Sequence, residues 1–418
     1  MSLHLFSSLV LSLPLPSFSL PAALFRSLSV CLSLSLSLSL SLARARARAL
    51  SAVCVAVAPE QCSPALRISL STVDAVLCAY AQLRVRQDHA ATNYFQHCQF
   101  VGAEPVMEFV AALSAAGSKC VLSQSNPPLT DKDVGCIAEA LRDSGIVELY
   151  LTGNEVTMNG AEDIAAALRV NANILRLSVG DNSMSDEGAL SFAAALKDNA
   201  TLVWLDLQGN SIGNRGVAGL AEALTTNQTL QELLLQRNEV QCQGLAALVE
   251  ALKPNNSLRL LNMSLNKIAD VGAAAVGHAL KLNSSLVEID LAGNAIKPDG
   301  GVAIGAGIAT NTQLRVLNLN DNAVGDAGAI SLANSLSNSS SCALEVLLLR
   351  NNRIAVQGCV ALADSLILNS KLLSLDLHGN PGTKERAGAL AFAVRHHSRG
   401  FASEIMLFNV WLPDLTVA

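Results

Sequence analysis

Apolar residues change their spacing within single short stretches of this chain. In LVWLDLQGNSIGNRGVAGLAEAL, residues 202–224, Leu205 and Leu207 alternate with polar residues, as in a strand that is buried on one face. Leu220 and Leu224 are four residues apart, as on the buried face of a helix. Asn210 and Gly216 stand between the two patterns. The stretch therefore predicts a strand, a turn and a helix.

This unit repeats along most of the chain. An Asn marks the same position in each copy, and successive markers are 28 residues apart except for one step of 30. The markers are Asn126, Asn154, Asn182, Asn210, Asn238, Asn266, Asn294, Asn322, Asn352 and Asn380. Apolar residues three and five positions before nearly every marker complete L-x-x-L-x-L-x-x-N, the leucine-rich repeat signature. We therefore predict an α/β leucine-rich repeat solenoid, or horseshoe, with a parallel concave β-sheet, convex helices and about nine to ten repeats.

Three repeated positions have a predicted structural role. The amide of the marker Asn is expected to bond backbone groups of its own and neighbouring repeats. A Gly six residues after the marker, in the eight units from Gly160 to Gly358, is expected to supply backbone freedom where the helix begins. Most helices end at a second Asn, which tolerates the left-handed conformation. These residues are Asn171, Asn199, Asn227, Asn255, Asn283, Asn311 and Asn369.

The pattern resembles the ribonuclease-inhibitor-like class of leucine-rich repeats over residues 118–386. This class also occurs in nucleotide-binding oligomerisation-domain-like receptors and in Ran GTPase-activating proteins, and units such as LVWLDLQGNSIGNRGVAGLAEALTTNQT look most like the receptor repeats. A receptor of that family needs a phosphate-binding G-x-x-x-x-G-K-[ST] loop. The similar stretch GNPGTKE at 379–385 has a different spacing, so we interpret it as a turn after the last repeat.

Candidate binding residues lie between the inward-facing leucines. Positions six, four and two before each marker are predicted to face the concave side, and they differ from repeat to repeat while the inward positions barely vary. Tyr150, Arg176 and Trp204 belong to residue types that are enriched at binding hot spots. We expect Trp204 and Asp206 to lie outside the core, so replacing both should abolish binding and change stability by only ~0.5 kcal/mol. The candidate partner-binding residues are Tyr150, Arg176, Trp204, Asp206, Gln208, Glu232, Gln236, Asp290, Asn318, Arg350, Asp376 and His378.

Composition gives little support for catalysis, a cofactor or a metal. The chain has 28 Lys and Arg against 34 Asp and Glu without a basic stripe, so nucleic acid is not expected as a partner. The ten cysteines form no C-x-x-C pair, which favours buried apolar residues in a reduced, cytoplasmic setting over a zinc site. Asp376 and His378 are two residues apart on one predicted strand, but no Ser nucleophile accompanies them. We therefore predict that the protein is not an enzyme and has no cofactor or metal site.

The segments that flank the repeats differ from them in composition. We assign residues 1–59 to a low-complexity leader, disordered or processed, and residues 60–117 to an N-terminal helical cap; 118–386 form the repeat array and 387–418 a C-terminal cap. The leader contains CLSLSLSLSLSLARARARAL and fits an organelle transit peptide, a secretory signal or a translated simple repeat. Either of the first two would move the protein out of the cytoplasm. Ser at every second place weakens a membrane span over 27–43, so no membrane is expected.

These observations favour a non-enzymatic scaffold that binds a protein partner on the concave face. Two alternatives follow from the resemblance. One is a regulator of a small GTPase, although the acidic tail of the Ran activators is absent from the end LPDLTVA. The other is the isolated sensor region of an immune-type receptor. The sequence indicates neither the identity of the partner nor the oligomeric state.

Overall fold

Strands and helices alternate through the part of the chain that the structure describes. The structure is a computed structural model and describes residues 89–113, 118–337 and 342–385 of the 418. The predicted leader, residues 60–88 of the predicted N-terminal cap and the predicted C-terminal cap lie outside these ranges. All described residues belong to one compact unit.

The elements follow one another as the repeats predict. The strands are β1 Lys119–Val121, β2 Glu148–Tyr150, β3 Arg176–Ser178, β4 Trp204–Asp206, β5 Glu232–Leu234, β6 Leu260–Asn262, β7 Glu288–Asp290, β8 Val316–Asn318, β9 Val346–Leu348 and β10 Ser374–Asp376. The helices are α1 His89–Val101, α2 Met107–Leu113, α3 Asp131–Leu141, α4 Met158–Leu168, α5 Ser185–Asp198, α6 Asn214–Leu224, α7 Cys242–Ala251, α8 Ala269–Leu280, α9 Pro298–Ile308, α10 Gly325–Ser337, α11 Val356–Leu368 and α12 Gly382–Glu385.

The ten strands form one parallel sheet in sequence order. Equivalent residues pair from strand to strand, so Leu205 of β4 faces Leu177 of β3 and Leu233 of β5. These middle residues are fully buried, and the helices that follow each strand cover them with residues such as Leu220 and Leu224. This architecture confirms the predicted α/β solenoid.

Nine marker Asn residues form what we call the marker ladder. The side chains from Asn154 to Asn380 are buried, and the Nδ2 of each donates to a backbone carbonyl of the preceding repeat. Asn126 is exposed and does not take part, contrary to its predicted role. The first unit has two extra residues between its strand and its helix, because Cys120 and Leu129, the counterparts of Leu149 and Val156, are nine and not seven residues apart. This insertion displaces Asn126 from the ladder.

The Asn residues at helix ends form a second ladder, the helix-end ladder. The left-handed conformation predicted for them was wrong: Asn199 has φ −81° and ψ 127°, and Asn369 has φ −78° and ψ 137°. The Asn199 Nδ2 instead donates to the Leu168 carbonyl at 2.7 Å, and its Oδ1 accepts from the Leu202 N–H at 2.8 Å. Asn suits this position because one amide can donate to a carbonyl of the preceding repeat and accept from an N–H group that follows it in the chain.

The residue immediately before each marker of the ladder is left-handed. All nine residues at this position have φ between 51° and 74°. They are Gly153, Asp181, Gly209, Arg237, Leu265, Gly293, Asp321, Asn351 and Gly379. Seven of them are Gly, Asp or Asn, which adopt this region most readily, so the sequence carried a signal for the turn.

The Gly residues six positions after the markers are required for space, not for backbone freedom. Gly216 lies buried inside α6 with an ordinary helical backbone. A Cβ there would lie 2.7 Å from Asp186 Oδ1, 2.8 Å from Ile212 Cγ2 and 2.9 Å from Ala189 Cβ. Successive helices therefore approach too closely for a side chain at this position, and the predicted reason was wrong.

Asp186 shows why the approach is so close. Its Oδ1 accepts from the N–H groups of Gly213 at 2.6 Å and Gly216 at 2.9 Å, so it caps the N-terminus of the next repeat's helix. The same contact is made at four other repeat junctions by Asp131, Asn214, Asp270 and Asp326. These five helices are therefore capped by the repeat before them.

The two ends of the described array differ. At the N-terminal end, Tyr94 of α1 and Phe109 of α2 are buried against each other, with ring centroids 4.9 Å apart, and the Tyr94 hydroxyl accepts from the Val106 N–H at 2.8 Å. Burial raises the pKa of Tyr94. At the other end, residues 379–385 form a turn followed by α12, and the Gly382 N–H donates to the Ile354 carbonyl.

Candidate protein-binding surface

All twelve candidate residues lie at the predicted register of the sheet. We use "concave face" for the residues six, four and two positions before the markers, which alternate with the buried residues five and three positions before them. Eight candidates are strand residues, and Gln208, Gln236, Arg350 and His378 follow their strands by two positions. Because strands lie about 4.8 Å apart, the span from β2 to β10 is roughly 38 Å. The candidates therefore form separate groups, not one compact site.

The first group, the aromatic cluster, contains Lys119, Tyr150, Arg176 and Trp204. The Arg176 guanidinium carbon lies 4.5 Å from the centroid of the Trp204 ring, and the Lys119 Nζ lies 4.5 Å from the centroid of the Tyr150 ring. The two aromatic centroids are 5.9 Å apart. Tyr150 donates to Glu148 at 3.1 Å, and Lys119 is 3.7 Å from the same carboxylate. These contacts hold two partly exposed aromatic rings in place.

Lys119 was missed because the first unit is out of step with the others. It pairs with Glu148 across the sheet and so occupies the position six before the marker. Counting back from Asn126 gives Cys120 instead, because Asn126 stands one residue too far from the strand. An alignment anchored on the apolar strand residues, with Cys120 and Leu122 in the positions of Leu149 and Leu151, would have identified Lys119.

Asp206 occupies its predicted position, but its side chain is only 4% exposed. The hydroxyl of Ser178 donates to its Oδ2 at 2.7 Å, and the backbone N–H of Gln208 donates to its Oδ1 at 3.0 Å. Burial raises the pKa of Asp206, and these two hydrogen bonds partly oppose the shift. The expectation that Asp206 lies outside the core was wrong. Reversing its charge would disturb the fold, so this substitution does not report on binding.

Asp206 belongs to a chain of polar contacts that crosses four strands. The Ser178 hydroxyl donates its one hydrogen to Asp206, so the Thr152 hydroxyl is the donor in its 2.5 Å contact with Ser178. On the other side, the Gln236 Nε2 donates to the Gln208 Oε1 at 2.7 Å. The Gln236 Oε1 is buried and has no hydrogen-bond partner among the described residues. The polar side chains of this region therefore bond largely to one another within the sheet.

Asp and Asn residues at the strand ends have a repeated local role. In five strands, the side chain four positions before the marker accepts from the N–H two positions later, at 2.8–3.0 Å. The accepting residues are Asp206, Asn262, Asp290, Asn318 and Asp376. Asp376 and His378 are joined in this way through the His378 backbone. This contact is a turn of the chain and not an arrangement for proton transfer.

The second group, the acidic patch, contains Glu232, Glu288 and Asp290. Burial raises the pKa of Glu288, and the negative charges of Asp290 and Glu232 raise it further. Burial also raises the pKa of Asp290, although Asn318 donates to it at 2.9 Å. Within the described ranges, no Lys, Arg or His forms an ion pair with these three carboxylates.

Other carboxylates near the concave face do have cationic partners. Lys119 lies by Glu148, Arg237 is 3.1 Å from Asp181, and Arg315 contacts Glu345. Arg350 is exposed, and its backbone N–H donates to Asn320 at 2.7 Å. The acidic patch thus brings three carboxylates without an ion-pair partner among the described residues together on two strands of the concave face.

The described residues offer little to a metal ion. No group of three or more His, Cys, Asp or Glu side chains in these ranges is placed to hold one. The six described cysteines are free thiols, and five are buried. Burial raises the pKa of Cys98 and Cys120 to about 12. No helix in the described segments is long and apolar enough to cross a membrane.

Comparison with known proteins identifies the repeats. The family model described as Leucine Rich repeat matches residues 170–193, 198–221, 255–277, 282–305 and 310–333. No curated protein matches the chain. Among solved structures, leiomodin-1 actin-binding site 2 is similar at 17% identity over 43% of this chain and 88% of that chain, with a TM-score of 0.31. The repeats are therefore leucine-rich repeats, as predicted.

Proposed function

We propose that this chain is a non-enzymatic scaffold that binds a protein partner on its concave face. Leucine-rich repeats generally mediate protein–protein interaction, and proteins built from them are usually not enzymes. The aromatic cluster is the observation that carries the proposal for this chain. Arg, Tyr and Trp are the residue types that dominate binding energy at interfaces, and here they meet on one face of the sheet.

The physical state of the cluster supports this role. Trp204 and Arg176 are half-buried, so each has part of its surface available to a partner. Their stacking fixes the side chains before binding, which lowers the entropy lost on association. Truncating such an anchor commonly costs more than about 2 kcal/mol of affinity, or roughly 30-fold.

Two finer assignments accompany the proposal. We assign the repeats to the ribonuclease-inhibitor-like class, supported by one strand and one helix in each 28-residue unit. We place the protein in a reduced, cytoplasmic setting, supported by the buried free thiols. A thiol with a raised pKa is mostly protonated at neutral pH and suits an apolar interior.

Affinity capture with the full chain, followed by mass spectrometry, tests the proposed function. The Arg176→Ala/Trp204→Ala double variant should lose the retained protein, with its thermal unfolding checked by circular dichroism. Glu250→Gln is the control, because Glu250 is exposed on α7, away from the sheet, and its ion-pair partner among the described residues is Lys253 on the same side. Loss of capture in the control, with normal capture by the double variant, would place binding on the helical side.

The identity of the retained protein separates the alternatives. A small GTPase as the dominant partner would favour the regulator. A receptor adaptor would favour the sensor region of an immune-type receptor. Any other protein, lost with the double variant, would support the scaffold.

A further inference from the structure

We propose that the partner presents a basic, partly apolar segment, with one Lys or Arg side chain between Trp204 and Glu232 and a second beside Glu288. This inference rests on the proposed function and names the chemistry of the partner. The receiving strip crosses β4 to β7 and consists of Trp204, Glu232, Leu234, Leu260, Glu288 and Asp290.

The contacts of Trp204 show which side of its ring is already occupied. Arg176 on β3 and Tyr150 on β2 both approach the indole from the side of the strands that precede β4 in the sheet. The next strand on the other side is β5, where Glu232 pairs with Trp204 in register. On the β5 side, the residue next to the indole across the sheet is therefore the carboxylate of Glu232. An aromatic face next to a carboxylate favours a cation over any other group.

The charge of the strip points to the same ligand. Glu232, Glu288 and Asp290 lie close enough for their charges to disfavour one another, and no described cation forms an ion pair with them. Some carboxylates elsewhere in the repeats are neutralised, as in the pairs Lys197–Glu222 on the helices and Lys267–Glu239 in the turns. A basic segment would supply the missing charge, whereas an acidic segment or nucleic acid would be repelled.

Two leucines define the apolar part of the segment. Leu260 separates Glu232 from Glu288 in one row of the sheet, and Leu234 stands in the neighbouring row. Both are only half-buried. The long carbon chains of Lys and Arg can cover such residues while their charged ends reach the carboxylates. The three carboxylates alone, without these leucines and Trp204, would give no preference for an apolar segment.

The strand spacing sets the spacing of the basic residues. Glu232 and Glu288 are two strands apart, which corresponds to roughly 10 Å. In an extended segment only alternate residues share a face, so basic residues two or four positions apart, roughly 7 or 13 Å, are the nearest matches, and their long side chains can make up the difference. Residues separated by about two turns of a helix also match this distance.

Binding of a synthetic peptide to the full chain provides the test. The probe is a fluorescein-labelled dodecapeptide of alternating Leu and Lys, measured by anisotropy at low and physiological salt. Glu232→Gln/Glu288→Gln should weaken binding at least tenfold, and Trp204→Ala should weaken it as well. The matched control is Glu187→Gln/Glu250→Gln, which changes the net charge equally on α5 and α7 and should change binding less than twofold.

Several outcomes would overturn the inference. Equal weakening by the two double variants would mean that the peptide reads only the net charge. Undiminished binding to Glu232→Gln/Glu288→Gln would show that these carboxylates do not hold the peptide. Equal affinity for a Leu-Glu dodecapeptide would show that the strip does not prefer a basic segment. Equal affinity for a Ser-Lys dodecapeptide would show that apolar residues of the segment do not contribute to binding.

Capture of the natural partner separates this inference from the proposed function. If Arg176→Ala/Trp204→Ala abolishes capture but Glu232→Gln/Glu288→Gln does not, the basic segment is wrong and the concave face still binds. If neither variant affects capture, both proposals fall.

Discussion

Replacing Asn238 with Ala tests the marker ladder at the centre of the array. The Asn238 side chain is buried and makes four hydrogen bonds of 3.0 Å or less. Its Oδ1 accepts from the N–H groups of Asn210 and Ile212, and its Nδ2 donates to the carbonyls of Leu207 and Leu235. Alanine removes all four bonds, and the array cannot close the gap without moving its backbone.

The four lost bonds differ in cost. The Leu207 carbonyl also accepts from Asn210 Nδ2, and the Leu235 carbonyl also accepts from Asn266 Nδ2, so each keeps a donor. The N–H groups of Asn210 and Ile212 lose the acceptor that Asn238 supplies. Leaving a buried donor unsatisfied costs about 1–3 kcal/mol. Two such donors predict a loss of about 2–6 kcal/mol in the free energy of unfolding.

Gln236→Ala is the matched control, two residues earlier on the concave face. Gln236 is half-buried, and its side chain makes one hydrogen bond among the described residues, to Gln208, while its own Oε1 is already unsatisfied. Its replacement should cost less than about 1 kcal/mol. Urea unfolding followed by circular dichroism gives both free energies. Equal losses for Asn238→Ala and Gln236→Ala would show that the marker amide does not hold the repeats together.

Three further predictions concern packing, pH and the leader. Gly216→Val should lower stability by about 1–3 kcal/mol because of the close contacts at its Cβ position; Gly213→Ala, where the nearest atom would be 3.4 Å away, should be almost neutral in thermal unfolding. Because burial raises the folded-state pKa of Asp206, its contribution to stability is fully present below the unfolded pKa and is lost as pH rises through the folded pKa. Asp206→Asn should therefore gain stability relative to the native chain between acidic and neutral pH in urea titrations, and a constant difference would contradict this. Deleting residues 1–59 should leave the melting temperature of the remainder unchanged, and a fall of several degrees would show that the segment packs against the array.

The spacing of apolar residues was sufficient to predict the strands and helices. Leu205 and Leu220 are apolar because they are buried, and burial follows the geometry of the element that carries them. The roles of Gly216 and Asn199 were not predictable in this way. A Gly can serve a positive φ or a lack of space, and an Asn can serve a turn or a hydrogen bond. Only the positions of neighbouring repeats distinguish these cases.

The candidate surface was predictable in register but not in exposure. Alternation correctly separated Trp204 from Leu205, yet it treated Trp204 and Asp206 alike. Asp206 is buried because Ser178 and Gln208 surround its carboxylate, and these contacts depend on side-chain lengths in adjacent strands. The unneutralised charge of Glu288 was likewise hidden, because ion pairs depend on which side chains meet across repeats.

The helix-end ladder coincides with a glycosylation pattern. Four of its members are followed two positions later by Thr or Ser, which completes the N-x-[ST] acceptor sequence. These are Asn199, Asn227, Asn255 and Asn283. A glycan would be attached to Nδ2, the atom that donates to the preceding repeat at 2.6–2.8 Å in a buried position. Sugars added before folding would therefore stand at four successive repeat junctions, so the folded array and N-linked glycans at these residues exclude each other.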